Sequence, residues 1–270
     1  MRITFIGGGN MAVALIGGLK RQGFSAAGIQ VVEPNAESRE RLTETFGVRC
    51  TSAIDAASLR CEALVLAVKP QIMREAIAPL AGKLDGQVVV SIAAGLRIAA
   101  LSRWLGDYRR LVRAMPNTPA LIGAGTTGLV ADASVDREGR EQAERILKAV
   151  GSAVWIPDEN QMDAVTAVSG SGPAYVFYFM EAVEQAALNL GFDVAAARQM
   201  TIETFLGAAQ LAQQSHDPVA ILRERVTSKG GTTEAALHSF ASDNLAAAIG
   251  RGVLAAAARG KALGDLLGEA

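Results

Sequence analysis

The chain has 270 residues, half of them hydrophobic and a fifth charged, with 26 basic against 27 acidic side chains and a formal net charge of −1. That length suits a globular protein of one or two domains with a sizeable core. The balanced charge gives no electrostatic reason to expect nucleic acid or an anionic membrane as partner.

Cys50 and Cys61 are the only cysteines, and His216 and His238 the only histidines. They make neither a disulfide framework nor a zinc site, so no metal is expected. No apolar run reaches the roughly 20 residues that span a bilayer. The strand-like start at Arg2 leaves no room for a signal peptide, and a cytoplasmic protein is expected. Short basic spots at Arg109-Arg110 and Arg113 read as ordinary surface.

In chain order, Ile3 to Ile6 predicts a strand and Met11 to Gln22 a helix closed by Gly23. Ile29 to Glu33 predicts a second strand, followed by a charged helix from Ala36 to Phe46. Ala63 to Val68 and Val88 to Ile92 are unbroken apolar runs, as strands covered on both faces require. Leu111 to Ala114, Thr126 to Val130 and Ala153 to Ile156 continue the series, with a charged helix from Asp136 to Val150 between the last two. Residues 1–159 are therefore expected to form a doubly wound, Rossmann-type α/β domain on a mostly parallel sheet.

Residues 160–270 carry no convincing strand and are expected to form an all-α domain. Val176, Phe179, Met180, Val183, Ala187 and Leu190 make one helical stripe, stopped by Gly191. Ile202, Phe205, Leu206, Ala209 and Ala212 make a second, on a helix apolar around most of its circumference. The last helix, from about Asp243 to Leu267, has small residues at Ala248, Gly252, Ala256 and Gly260, a spacing that lets two backbones approach closely. Packing within the chain would use such a face, but so much apolar helix in about 110 residues points at least as much to burial against another copy of the chain.

Two glycine-rich regions carry the candidate chemistry. Gly7-Gly8-Gly9-Asn10-Met11-Ala12 lies directly between the first strand and helix and fits the dinucleotide pattern G-x-G-x-x-A. Gly7 allows the turn, Gly9 the approach of a pyrophosphate, and Ala12 close helix packing, with the phosphate at the helix N-terminus. Glu33 ends the second strand where an acid would meet the adenosine ribose, which favours NAD, while Asn35 and Arg39 lie where they would serve a 2′-phosphate. NADP(H) and NAD(H) both remain open. Ala67-Val68-Lys69-Pro70 and Ala93-Ala94-Gly95 end two further strands, at the sheet edge where such folds bind ligands.

The second region comprises Val168 to Tyr175, which interrupts a helical pattern with small residues and Pro173, and Val226 to Thr233, which leads into a helix from Glu234 to Phe240 capped by Thr232 or Thr233. Consecutive glycines before a helix present N–H groups together, an arrangement suited to a carboxylate. No lysine occurs between Lys148 and Lys229. Ketone reduction calls for a proton donor such as His, Lys or Tyr, whereas an imine nitrogen carries its own proton. A site of hydroxyls and N–H groups therefore suits an imine, while Tyr175 reads either as a donor or, early in an amphipathic helix, as a packing residue.

These segments, with Arg113-Ala114-Met115-Pro116-Asn117-Thr118-Pro119, resemble pyrroline-5-carboxylate reductases in order and spacing along essentially the whole chain. The resemblance implies reduction of 1-pyrroline-5-carboxylate to proline by NAD(P)H and self-association as a dimer or larger ring. It implies that Ser228, Gly230, Gly231 and Thr232 hold the substrate carboxylate and that Thr233, the catalytic candidate, bonds the ring nitrogen. The implied dinucleotide contacts are Ile6, Gly7, Gly8, Gly9, Asn10, Met11, Asn35, Ala67, Val68, Lys69, Pro70, Ala93, Ala94, Gly95 and Asn117. No role is transferred to Gln214–Asp217. A β-hydroxyacid dehydrogenase would share the layout but carry a lysine on an early helix of its second domain, and a non-catalytic NAD(P) sensor would leave the hydroxyl-rich cluster without purpose.

Overall fold

The computed structural model describes residues 1–269. The chain divides into two compact units, one of Met1–Ser171 joined by the stretch from Ala256 onward, the other Gly172–Ala255.

The first unit holds one eight-stranded sheet: β1 (Ile3–Ile6), β2 (Ile29–Val32), β3 (Arg49–Thr51), β4 (Ala63–Leu66), β5 (Val88–Ser91), β6 (Leu111–Met115), β7 (Gly125–Ala131) and β8 (Gly151–Trp155). Their order is β3-β2-β1-β4-β5-β6-β7-β8, parallel throughout except between β6 and β7. Every residue of β1, β4 and β5 is buried, as expected of strands with helices on both faces. The helices between strands are α1 (Asn10–Arg21), α2 (Ala36–Phe46), α3 (Met73–Ile77), α4 (Ile98–Trp104) and α5 (Arg137–Lys148). One core layer joins Phe5, Val31 and Val65 to Leu15 and Leu19 of α1 and Ile146 of α5. The other joins Ile6, Leu64 and Leu66 to Met73 and Ile77 of α3 and Leu101 of α4. This is the predicted doubly wound arrangement. The order reverses between β1 and β4, so their carboxyl ends open a crevice.

Strand β3 was not predicted: Arg49-Cys50-Thr51 is short, polar and an edge, and pairs only with β2. Arg113 is not surface. Its side chain is 4% exposed, inside β6, and pairs with Glu159 at 3.1 Å and Asp163 at 3.8 Å. The neighbouring carboxylates of the following segment neutralise it there.

After β8 the chain is helical. α6 (Met162–Val165) runs into a π-wound turn, Thr166–Gly170, closed by the Ser171 N–H on the Thr166 carbonyl at 2.8 Å. The serine-glycine stretch thus widens the helix by one residue rather than opening a loop, a feature found often at functional sites.

The second unit contains α7 (Gly172–Asn189), α8 (Val194–Gln214), α9 (Val219–Arg225), α10 (Thr232–Ser242) and the first turns of α11 (Leu245–Glu269), whose last turns belong to the first unit. The N-cap of α10 is Gly231, not Thr232 or Thr233, because both threonines already take helical positions. Of the small residues on α11, Gly260 packs against Asp163, whereas a Cβ on Gly252 would meet nothing beyond its own helix backbone within 4 Å among the described residues.

Candidate functional site

The turn Gly7-Gly8-Gly9 leaves β1 at the sheet's crevice. Gly7 has φ +101, and a Cβ there would lie 2.8 Å from the Ala67 carbonyl oxygen, so only glycine fits. Gly9 is the N-cap of α1, and no side chain caps that helix. The first-turn N–H groups therefore face the cleft with the positive end of the helix dipole. The cleft, of about 720 Å3, is walled by Ile6, Gly7, Gly8 and Gly9, by Ala67, Val68 and Lys69 beyond β4, and by Glu33 and Pro34 beyond β2. Asn10 and Met11 open α1, and Pro70 opens the short 3-10 turn after Lys69. Uncapped amides, close backbone approach and this volume fit a dinucleotide.

Glu33 walls the cleft at the end of β2, and both of its carboxylate oxygens accept backbone hydrogen bonds there. One carboxylate oxygen accepts from the Gly8 N–H at 2.8 Å and the other from the Asn35 N–H at 2.9 Å. Both oxygens brace the glycine turn and the start of α2. The Asn35 side chain caps α2 through the Ser38 N–H at 2.8 Å. The Arg39 guanidinium spans the carbonyls of Glu33 and Pro34 at 2.8 and 2.7 Å, at the same end of β2.

Ser52, Ala53 and Ile54 also wall the cleft, and sequence reasoning missed them because it missed β3, which delivers them. Their far end is anchored by Asp55. Hydrogen bonds from the Ser58 hydroxyl and N–H, both at 2.7 Å, hold the Asp55 carboxyl down to about 2.

Ala93, Ala94 and Gly95 follow β5, and Asn117 follows β6; none lines that cleft. The Asn117 amide is committed within the unit, accepting from the Thr126 N–H at 2.9 Å and donating to the Ser169 carbonyl at 3.2 Å. It ties the ends of two strands to the π-wound turn.

In the second unit, Ser228, Gly230, Gly231, Thr232 and Thr233 come together in one turn at the start of α10. The Gly231 N–H donates to the Ser228 carbonyl at 3.0 Å, and a Cβ on Gly231 would fall 2.5 Å from the Ser228 hydroxyl. The Gly230 N–H donates to a carboxylate oxygen of Glu234 at 2.6 Å. The turn therefore already holds a carboxylate, that of its own helix. Glu234 was passed over as a mere helix start, although its place three residues after Gly231 is the spacing of a capping glutamate. At the head of α7 the Tyr175 hydroxyl is buried with no hydrogen-bond partner among the described residues. A second cleft, of about 510 Å3 and mostly apolar, runs beside the turn between Thr227, Glu234, Leu237, His238, Ala241 and Ile249. Among the described residues no cluster of three or more His, Cys, Asp or Glu side chains is placed to hold a metal, and no helix is long and apolar enough to cross a membrane.

The glycine turn, the uncapped helix and the sheet order define a dinucleotide-binding oxidoreductase with a helical second part. Comparison with known proteins narrows the class. Residues 159–263 match the model of the pyrroline-5-carboxylate reductase dimerisation domain, and residues 2–95 that of the coenzyme F420-dependent NADP oxidoreductases. A pyrroline-5-carboxylate reductase of Pseudomonas aeruginosa is 47% identical over 99% of this chain and 98% of its own length. Among solved structures, a pyrroline-5-carboxylate reductase from Coxiella burnetii superposes with a TM-score of 0.92 at 40% identity, covering 97% of this chain and 98% of that one. A Plasmodium falciparum pyrroline carboxylate reductase with NADP bound gives 0.86 at 26% identity over 98% of both chains. The chain belongs to the pyrroline-5-carboxylate reductase family.

Proposed function

We propose that this protein reduces 1-pyrroline-5-carboxylate to proline, with NADPH or NADH as reductant. The observation that carries the reading within the family is the turn at Gly230, whose N–H holds a carboxylate beside the threonine hydroxyls of the following helix start. In this reading the amides of Gly9 to Ala12 bind the pyrophosphate, and Ile6, Lys69, Ala93 and Gly95 shape the path of the dinucleotide. The turn from Ser228 to Thr232 takes the substrate carboxylate, displacing the Glu234 side chain, while the Thr233 hydroxyl orients the ring nitrogen.

The bound reduced nicotinamide supplies a hydride. The imine carbon receives it, the C=N π pair goes to nitrogen, and that nitrogen already carries the proton the amine keeps. The reaction requires no proton from Thr233, whose hydroxyl oxygen accepts from the iminium N–H and holds its geometry, so orientation provides most of its effect. The enzyme works in the cytoplasm as a dimer or a larger ring. Association places the apolar faces of α7 and α8 against another copy, and no nucleic acid takes part.

The test is a spectrophotometric assay with synthetic pyrroline-5-carboxylate and each reduced nucleotide, which also settles the preferred one. Loss of a single hydrogen bond to a charged group is worth about 1.5–3 kcal/mol, so Thr233→Ala lowers kcat by roughly 10–100-fold with nucleotide affinity unchanged. Oxidation of neither nucleotide would refute the proposal. Wild-type turnover in the variant would remove Thr233 from it.

A further inference from the structure

The segment that follows β5 is held from outside the sheet. Gly95 has φ +80, and directly over it lie the last turns of α11. A Cβ on Gly264 would sit 2.9 Å from the Gly95 carbonyl oxygen, nearer than real side chains come to a backbone atom. On the other side, a Cβ on Gly95 would be 3.5 Å from the end of Leu267. Two polar links fasten the same turns: Arg97 to Asp265 at 3.0 Å and Arg103 to the Gly268 carbonyl at 2.7 Å. One turn back, Gly260 lies against Asp163, the partner of buried Arg113. A helix far away in sequence thus presses glycine on glycine against the short loop Ala93–Gly95.

The geometry points to the end of α11 as the element that positions this loop for the nicotinamide end of the dinucleotide, with Gly264 as the positioning residue. The inference rests on the functional reading in one respect, that Ala93–Gly95 contacts the cofactor. Its physical basis is the way the loop is held. Ala93 and Leu96 root the two ends of the loop in the core, but Gly95, at positive φ, has no side chain to fix its own carbonyl. The carbonyl of Gly95 takes its position from what packs on it. A side chain at residue 264 moves either the helix or that carbonyl, whereas the Gly7–Gly9 turn, built on β1 and α1, is left alone.

Two ligands separate the ends of the dinucleotide. Adenosine diphosphoribose, with or without a 2′-phosphate to match the preferred nucleotide, lacks the nicotinamide; the full reduced nucleotide has it. Titration by intrinsic fluorescence or calorimetry gives the ratio of the two dissociation constants. Gly264→Val is expected to weaken the full nucleotide at least 10-fold and the truncated one less than 2-fold, with faster hydrogen exchange at Ala93–Leu96. If Gly264→Val does not fold, Arg97→Ala/Asp265→Ala opens the same clasp from its rim and shifts the ratio 2–5-fold in the same direction. An unchanged ratio in a folded variant, or equal weakening of both ligands, overturns the proposal and leaves α11 a packing element only. Because the readout is binding, it is independent of the substrate. A wild type that binds the nucleotide but leaves pyrroline-5-carboxylate unreduced would sink the functional reading and not this one.

Discussion

Between Ile3 and Val150 most strand residues and one face of each long helix are buried within a single chain, whereas between Gly172 and Ala255 only Ala197 and Thr201 are. The same stretch exposes Phe177, Tyr178, Leu190, Leu206, Leu211 and Leu254, each more than half accessible. A large side chain left in water forgoes about 1.5–3 kcal/mol of burial free energy. The first unit thus closes its own core, with charge and capping arranged around it. The second is a set of helices with apolar residues on most sides and no core of its own. A dimerisation model spanning residues 159–263 fits that difference. Stability of the first unit is a property of the chain. The exposed apolar faces of the second make its stability expected to rest on self-association, and so to depend on concentration.

The sharpest way to break this contrast is to place a charge on the uncovered faces. Leu206→Asp on α8 and Phe177→Asp on α7 are each expected to weaken self-association at least ~100-fold, because a charge buried at an interface costs far more than a lost apolar contact. Sedimentation velocity should show the shift to monomer. Circular dichroism should show helix lost at a lower temperature while β-sheet signal persists. A wild-type protein that stays monomeric, with an unaltered melting temperature from low to high concentration, would abolish the distinction between the units.

The counterpart in the first unit is Gly7→Ala. The new methyl meets the Ala67 carbonyl oxygen at a backbone angle of φ +101. The expected cost is about 2–4 kcal/mol of stability, from positive-φ strain and the forced shift of a backbone contact. Affinity for the reduced nucleotide should fall by more than tenfold. Unlike the losses at Leu206 and Phe177, this one should not change with protein concentration, which chemical denaturation at two concentrations would establish.

How legible the molecule was in its sequence follows the same divide. Strands β1, β4 and β5 could be read because burial on both faces turns them into pure apolar runs. The Gly7–Ala12 turn could be read because a strand and a helix bracket it. Arg113 was misread as surface, since sequence shows its charge but not the carboxylates of Glu159 and Asp163 that arrive from some 50 residues on. The place of Glu33 at the end of its strand was visible, while its brace on Gly8 and Asn35 is a matter of geometry. Strand β3 was invisible: three mixed residues at an edge carry no periodicity. With it went the loop Ser52–Ile54. In the second unit helical stripes were readable. The start of α10 at Gly231 was not, because two threonines beside it are equally good caps by residue type, and the hold of Glu234 on Gly230 was passed over although its spacing was visible.

That missed loop offers the finest test of the first unit's self-sufficiency. Asp55 fastens it through Ser58 and Gln30 and pairs with Arg49 at 2.8 Å. Hydrogen bonds from Ser58 favour the ionised form and lower its pKa to about 2. A carboxyl so depressed stabilises the fold wherever the unfolded chain is also ionised, above about 3.9, and loses that contribution as pH falls towards the folded value. Asp55→Asn should therefore destabilise the protein modestly at neutral pH, with faster hydrogen exchange at Ser52–Ile54 and a slightly weaker hold on the nucleotide. The stability gap between wild type and variant should be flat from pH 7 to about 5 and narrow below about 4. A gap that instead grew as the solution was acidified would mean that the protonated form of Asp55 is the stabilising one, and that the loop is held by something other than the Ser58 hydrogen bonds.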